Sequence, residues 1–211
     1  MVRNTKITVV YHGANAACIF DRGYRFRRIA EDLQSHFRKM GRIEEKSQFE
    51  KVNYRRFIEA MKCIACGNKT VDYGVIEDFV FHIEEKYGVN IKALGYDRFN
   101  ALSSAQKWEN GIEGKHHPIN CVQIRQHSDT LHPSTKLLYE KIVNKEFHYE
   151  PNALLEINFE NARCTYDTNM NRYITKKRSS GKVDMVMAIL NALYLLQQDI
   201  ILDSGFIVQT F

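Results

Sequence analysis

The stretch from Val71 to Asp97 limits the possible folds more than any other part of the sequence. Apolar residues recur four apart at Val71, Val75, Phe79, Ile83 and Tyr87. That is the spacing of one buried face on a helix, so the segment predicts an amphipathic helix over 71–87. Gly88 supplies a stop. Ile91-Lys-Ala-Leu-Gly-Tyr-Asp97 then reads as a short strand ending in an acid. A helix feeding a strand must bury both apolar surfaces between layers.

The alternation continues on both sides. Ile7 to Tyr11 and Ala17 to Phe20 read as strands, Asp21-Arg22-Gly23 as a hairpin turn, and Tyr24 to Ile29 as the returning strand. Helical pieces are expected at Ile29 to Lys39 and Tyr54 to Met61. Downstream, Arg98 to Asn110 reads as a helix and Cys121 to Ile124 as a strand. Pro133 to Lys145 fits a helix with Pro133 in its first turn. Ala153 to Arg163 fits another helix, and Arg172 to Lys177 is a basic connection. Ser179 or Ser180 is expected to cap a final helix running to about Gln198. This order predicts an α/β fold, a mixed β-sheet with helices on both faces.

With 211 residues, 44% of them hydrophobic, the chain is long enough for one domain, expected over 1–198, with a tail at 199–211. No apolar run reaches the roughly 18 residues of a membrane span. Val183 to Leu196, the longest candidate, is interrupted by Asp184, Asn191 and Tyr194. These features predict a soluble intracellular protein. Cys63 and Cys66 form a lone CxxC. Zinc needs four ligands and no second pair supplies them, so the better reading is a short buried strand with cysteine as a small hydrophobe.

The net charge is +5, and basic residues cluster at Arg22, Arg25, Arg27 and Arg28 and at Arg172, Lys176, Lys177, Arg178 and Lys182. Such clusters suit a phosphate backbone or two solvated surfaces equally well. The glycine patterns that cradle nucleotide phosphates are missing: Gly114-Lys115 is followed by His and Gly181-Lys182 by Val, so there is no P-loop. The acids are more telling. In open α/β sheets, chemistry collects beyond the carboxyl ends of the strands, which is where Asp97 is expected. Asp184 falls in the first turn of the last helix. Taken alone, Asp97 could be a helix cap and Asp184 a favourable charge at a positive helix end. Together they could share a divalent cation that prefers oxygen ligands. Asp72, Asp78, Glu160 and Asp167 are further acids, expected to be exposed in helices or loops.

Leu94-Gly-Tyr-Asp-Arg-Phe-Asn100 resembles the strand motif of the nuclease domain of phage terminase large subunits. Val122-Gln-Ile-Arg-Gln-His-Ser128 and Leu131-His-Pro-Ser-Thr-Lys136 are similar to the family's next strand and helix. Asn158-Phe-Glu-Asn-Ala162, Asp167-Thr-Asn169 and Lys176 to Ala188 are similar to its closing segment, and Asn68-Lys-Thr-Val-Asp-Tyr73 to the approach to the Asp97 strand. The likeness covers about residues 50–198.

The resemblance implies an RNase H-like fold and a Mg²⁺- or Mn²⁺-dependent endonuclease, with two ions, that cuts concatemeric DNA during packaging. It places Asp97 and Asp184 as metal-binding catalytic acids, and Lys176, Lys177, Arg178 and Lys182 beside double-stranded DNA. It also implies a terminase ATPase, small subunit and portal as partners, in the cytoplasm of a bacterial host. The family's opening strand carries an acid, whereas Ile7-Thr-Val-Val-Tyr-His-Gly-Ala14 has none and the first acid is Asp21. The chain therefore resembles a split or truncated product, with a catalytically incomplete DNA-binding module as the alternative.

Overall fold

The computed structural model describes residues 6–12, 15–20, 36–38, 43–60, 63–66, 70–87, 90–149 and 151–203. Strand β1 (Lys6–His12) pairs antiparallel with β2 (Asn15–Phe20), and β2 antiparallel with β3 (His36–Arg38). β4 (Cys63–Ala65) joins β3 in parallel. On the other edge β1 pairs in parallel with β5 (Asn90–Tyr96), and β5 with β6 (Cys121–Gln123). The order is β4-β3-β2-β1-β5-β6. Parallel β1 and β5 end at the same edge of the sheet. Tyr11 is in register with Tyr96, so Asp97 leaves β5 beside the end of β1.

The helices are α1 (Ile43–Glu50), α2 (Tyr54–Glu59), α3 (Tyr73–Phe81), α4 (Ile83–Tyr87), α5 (Arg98–Asn110), α6 (Ser128–Val143), α7 (Ala153–Asn161) and α8 (Asp184–Asp203). They cover both faces, as the alternating order implies. On one face Ile76, Val80 and Trp108 pack with Leu94 and Tyr96. On the other, Leu131, Leu154, Val186 and Leu190 pack with Ile124 and Cys63. Alternate residues of β5 face opposite cores, and one irregularity shifts which residues face which. Ile7 pairs with Ile91 but Thr8 with Ala93, so Lys92 is an extra residue. A bulge of this kind resets the alternation. Ile91 and Leu94 therefore share one core while Ala93 joins the other. Among the described residues no helix is long and apolar enough to cross a membrane.

Several boundaries differ from the sequence reading. The helix expected over 71–87 is two helices, broken at His82, whose N–H bonds back to the Asp78 carbonyl at 3.1 Å. The helix around Pro133 begins earlier, at Ser128, which puts Pro133 in its second turn. There the ring removes the donor for the Asp129 carbonyl, at an exposed position where water can replace it. His36–Arg38 is a strand and not the end of a helix. The last helix continues to Asp203, past Gln198. The expectations for 21–35, including the Asp21 turn and the returning strand, lie outside the described residues. The short strand at Cys63 is present as expected. Cys63 and Cys66, three apart, pack in different cores.

Arg172–Ile174, expected as a connection, is strand β8, paired antiparallel with β7 (Cys164–Tyr166). Strands this short leave too little alternation to detect. Asp167 closes the turn. Its carboxylate accepts the Asn169 and Asn171 backbone N–H groups at 2.8 and 2.9 Å, the Asn171 side-chain amide at 3.0 Å, and the Ser128 hydroxyl at 2.6 Å. The last bond ties the hairpin to α6. Arg172 adds two more ties, an N–H donated to His132 Nδ1 at 2.8 Å and a guanidinium 4.2 Å from the Tyr139 ring centre.

These donors, led by the Ser128 and Asn171 side chains, lower the Asp167 carboxyl from its ordinary 3.8 to about 2. A carboxyl held below its unfolded value stabilises the fold above that value and loses the contribution as pH falls through the folded one. We predict that Asp167→Ala melts below the parent protein near neutral pH. The gap should narrow as pH falls from about 4 towards about 2, as read by thermal denaturation across that range.

Candidate functional site

The site is built where α7, the segment after β8 and the start of α8 meet. From Val183 to Leu193 every residue of this segment is buried. A helix apolar on all sides belongs inside a structure, and α8 lies between the sheet and helices α6 and α7. Its first turn therefore has to find partners within the protein. Neither Ser179 nor Ser180 caps it. The Ser179 hydroxyl donates to the Thr175 carbonyl at 2.8 Å, and the Ser180 hydroxyl lies 3.3 Å from the Asn161 carbonyl.

The cap comes from α7. Buried Asn158 accepts the Met185 N–H through Oδ1 at 3.2 Å and donates Nδ2 to the Leu154 carbonyl at 2.8 Å. Asn161, one turn on, holds the incoming chain. Its carbonyl accepts the Ser180 N–H at 3.1 Å, and its Nδ2 donates to the Lys182 carbonyl at 3.2 Å. Gly181 makes that approach possible, since a Cβ there would lie 2.7 Å from Asn161 Nδ2.

Asp184 is the first residue of α8 and only 8% exposed. A carboxylate there gains from the positive end of the helix dipole. It also forms an ion pair with the Lys176 ammonium, which reaches across from the turn after β8. Both groups line a cavity of about 750 Å³ with Lys51, Lys182, Glu50, Glu160 and Asn161. Lys51 stands there because the chain leaves α1 in the left-handed region, with φ of 54°.

The cavity thus brings together Asp184, Lys176 and Lys182 from the sequence reading. Lys177 and Arg178 are exposed in the neighbouring turn and are not among its walls. Asp97 is half-buried where β5 passes into α5, and is not among the walls either. Of the other acids, Glu160 lines the cavity. Asp72 caps α3 by accepting the Gly74 N–H at 2.9 Å. Asp78 is exposed on that helix, and Asp167 closes the hairpin.

For a hard divalent cation the donor chemistry is suitable. Asp184 offers a buried carboxylate that already carries a cationic partner, and carboxylate oxygens are the donors that Mg²⁺ and Mn²⁺ prefer. Among the described residues no three His, Cys, Asp or Glu side chains gather as a metal-holding group. Sequence reasoning did not single out Lys51, and it matched Asn158 and Asn161 only within a motif, with no role for either. The signal available was a pair of asparagines three apart inside a helix, where asparagine is a poor former and needs another reason to be present.

Asn158→Ala removes the cap from a buried helix end. We predict a loss of about 1–2 kcal/mol of stability in urea unfolding, at the upper end for caps because the Met185 N–H cannot turn to water.

Comparison with known proteins agrees with this architecture. No curated protein matches the sequence. The crystal structure of the HK97 bacteriophage large terminase superimposes with a TM-score of 0.73 at 15% identity, covering 92% of this chain. At that identity the likeness shows the fold, RNase H-like as anticipated. The chain spans 40% of the length of that terminase. The family described as "Terminase large subunit, endonuclease domain" matches residues 36–199, and the chain belongs to that family.

Proposed function

We propose that the chain acts as the nuclease domain of a phage terminase large subunit, hydrolysing phosphodiester bonds of concatemeric double-stranded DNA during genome packaging. The observation that carries this reading is the buried carboxylate of Asp184 in a cavity walled by both lysines and carboxylates, within a chain of the terminase endonuclease family. Lys51, Lys176 and Lys182 can hold the DNA backbone there, and exposed Lys177 and Arg178 can extend that hold outside. Contacts of this kind position the duplex without reading its sequence.

Asp97 and Asp184 are the residues we assign to hold Mg²⁺ or Mn²⁺. When bound, the ions supply charge stabilisation at the phosphate and an activated water. The protein's own part is positioning. Asn161 and Asn158 hold the backbone before and after Asp184, at Lys182 and Met185, so Asp184 and the Lys182 segment are set before DNA arrives. The partners we assign are double-stranded DNA and, for the whole machine, the terminase ATPase, the small subunit and the portal, with the host cytoplasm as the setting.

One observation favours a second reading, a DNA-binding module that does not cut. β1 runs beside β5, yet its seven residues, Lys-Ile-Thr-Val-Val-Tyr-His, include no carboxylate.

Incubation with supercoiled plasmid and Mn²⁺ separates the two. We expect nicking that Asp184→Ala and Asp97→Ala each abolish while their circular dichroism spectra stay native. Nicking that persists in Asp184→Ala removes the assigned mechanism. A salt-sensitive gel shift without nicking supports the module. In either case Lys182→Gln should weaken binding and lower the slope of log affinity against log salt by about one.

A further inference from the structure

The charges around Asp184 are unevenly partnered. The cavity walls present three carboxylates, Glu50, Glu160 and Asp184, and three ammonium groups, Lys51, Lys176 and Lys182. Glu50 has local partners of its own, Lys46 at 3.5 Å and the Tyr54 hydroxyl at 2.5 Å. The ion pair at Asp184 joins two side chains of different freedom: Lys176 is 55% exposed and Asp184 is 12% exposed. Asp184 is anchored by a capped backbone in the first turn of a buried helix. Lys176 carries its charge on a flexible four-carbon stem.

The backbone that carries Lys176 is held. Ser179 bonds to the Thr175 carbonyl through its N–H at 3.2 Å and its hydroxyl at 2.8 Å, and Ser180 is tied to Asn161. The ammonium lies at the end of a half-exposed side chain. A divalent cation at Asp184 would bring two positive charges to the place of one, and the two cations would repel.

We propose that Lys176 is a positioning residue that stands in for the metal. Without a divalent ion its ammonium holds the Asp184 carboxylate in place at the cavity wall. An arriving ion displaces it, and the released ammonium turns to a DNA phosphate. This rests on the metal-dependent reading of the site given above. Two consequences follow from one lysine having two alternative partners. It competes with the metal, and it couples metal binding to DNA binding, so that each favours the other.

The test uses the full chain, stripped with chelator and titrated with Mn²⁺ alone, with binding followed by calorimetry and by the electron paramagnetic resonance signal of free Mn²⁺. We expect Lys176→Gln to bind Mn²⁺ about three- to fivefold more tightly than the parent, the scale of a half-exposed ion pair. Lys176→Ala, a second neutral variant, should do the same. Lys176→Arg keeps the charge and should bind no more tightly than the parent. A merely structural lysine would not improve metal affinity on removal. Added Mn²⁺ should also raise DNA affinity in the parent, and by less in Lys176→Gln. Mn²⁺ affinity lost in Asp184→Asn but unimproved in Lys176→Gln and Lys176→Ala would overturn this inference and leave the metal site standing. Mn²⁺ bound equally by all variants, or by none, would overturn both.

Discussion

The burial of α8 is the constraint on which the rest of the structure depends. Its first ten residues are enclosed on every side, by the sheet and by α6 and α7. Such a helix cannot rotate or slide without exposing apolar surface, at roughly 25 cal/mol for each Å² uncovered. Its phase is fixed, and with it the direction of Asp184. The same burial deprives the helix start of water, which is why a side chain from α7 has to satisfy it. Asn158 and Asn161 are thus a consequence of core packing, although they stand in the walls of a polar cavity.

The electrostatics of the cavity follow from that placement. A buried carboxylate at a helix N-terminus is stabilised by the dipole, but its desolvation still requires a positive neighbour. Lys176 supplies one from a turn that is itself held to α7. The lysines come from three places in the chain: the end of α1, the turn after β8, and the approach to α8. No single basic run makes the surface. Only part of the Lys176 to Lys182 run faces inward, because a turn presents successive residues in different directions.

Much of this architecture was legible in the residues. The strand ending at Tyr96 and the helix from Arg98 to Asn110 appear as read, since both are bounded by sharp changes in hydrophobic period. Asp97 falls between them for the same reason. Other parts left no readable trace. The β7–β8 hairpin has three residues on each side and is held by the Asp167 turn and by α6, not by its own alternation. The four-residue stripe from Val71 to Tyr87 runs past His82 although the helix does not, and it misplaces the buried face: Val75 is exposed, while Ile76, Val80 and Ile83 carry the packing, because a stripe four apart drifts around a helix of 3.6 residues per turn. Two serines ahead of α8 looked like caps, yet both bond to carbonyls earlier in the chain.

The sequence by itself determined the layered α/β order, the acid at the carboxyl end of a central strand, the acid at the start of the last helix and the basic segment before it. These are local properties, set by hydrophobic period and by what a helix end or strand end demands. Tertiary structure alone decided that Asn158 caps a helix 26 positions further along the chain, that Lys51 joins Lys176 and Lys182 around one cavity, and that Lys176 takes Asp184 as its partner. Those pairings depend on how α7 and α8 pack against the sheet. That packing is a property of surfaces brought together from distant parts of the chain, and no short stretch of residues encodes it.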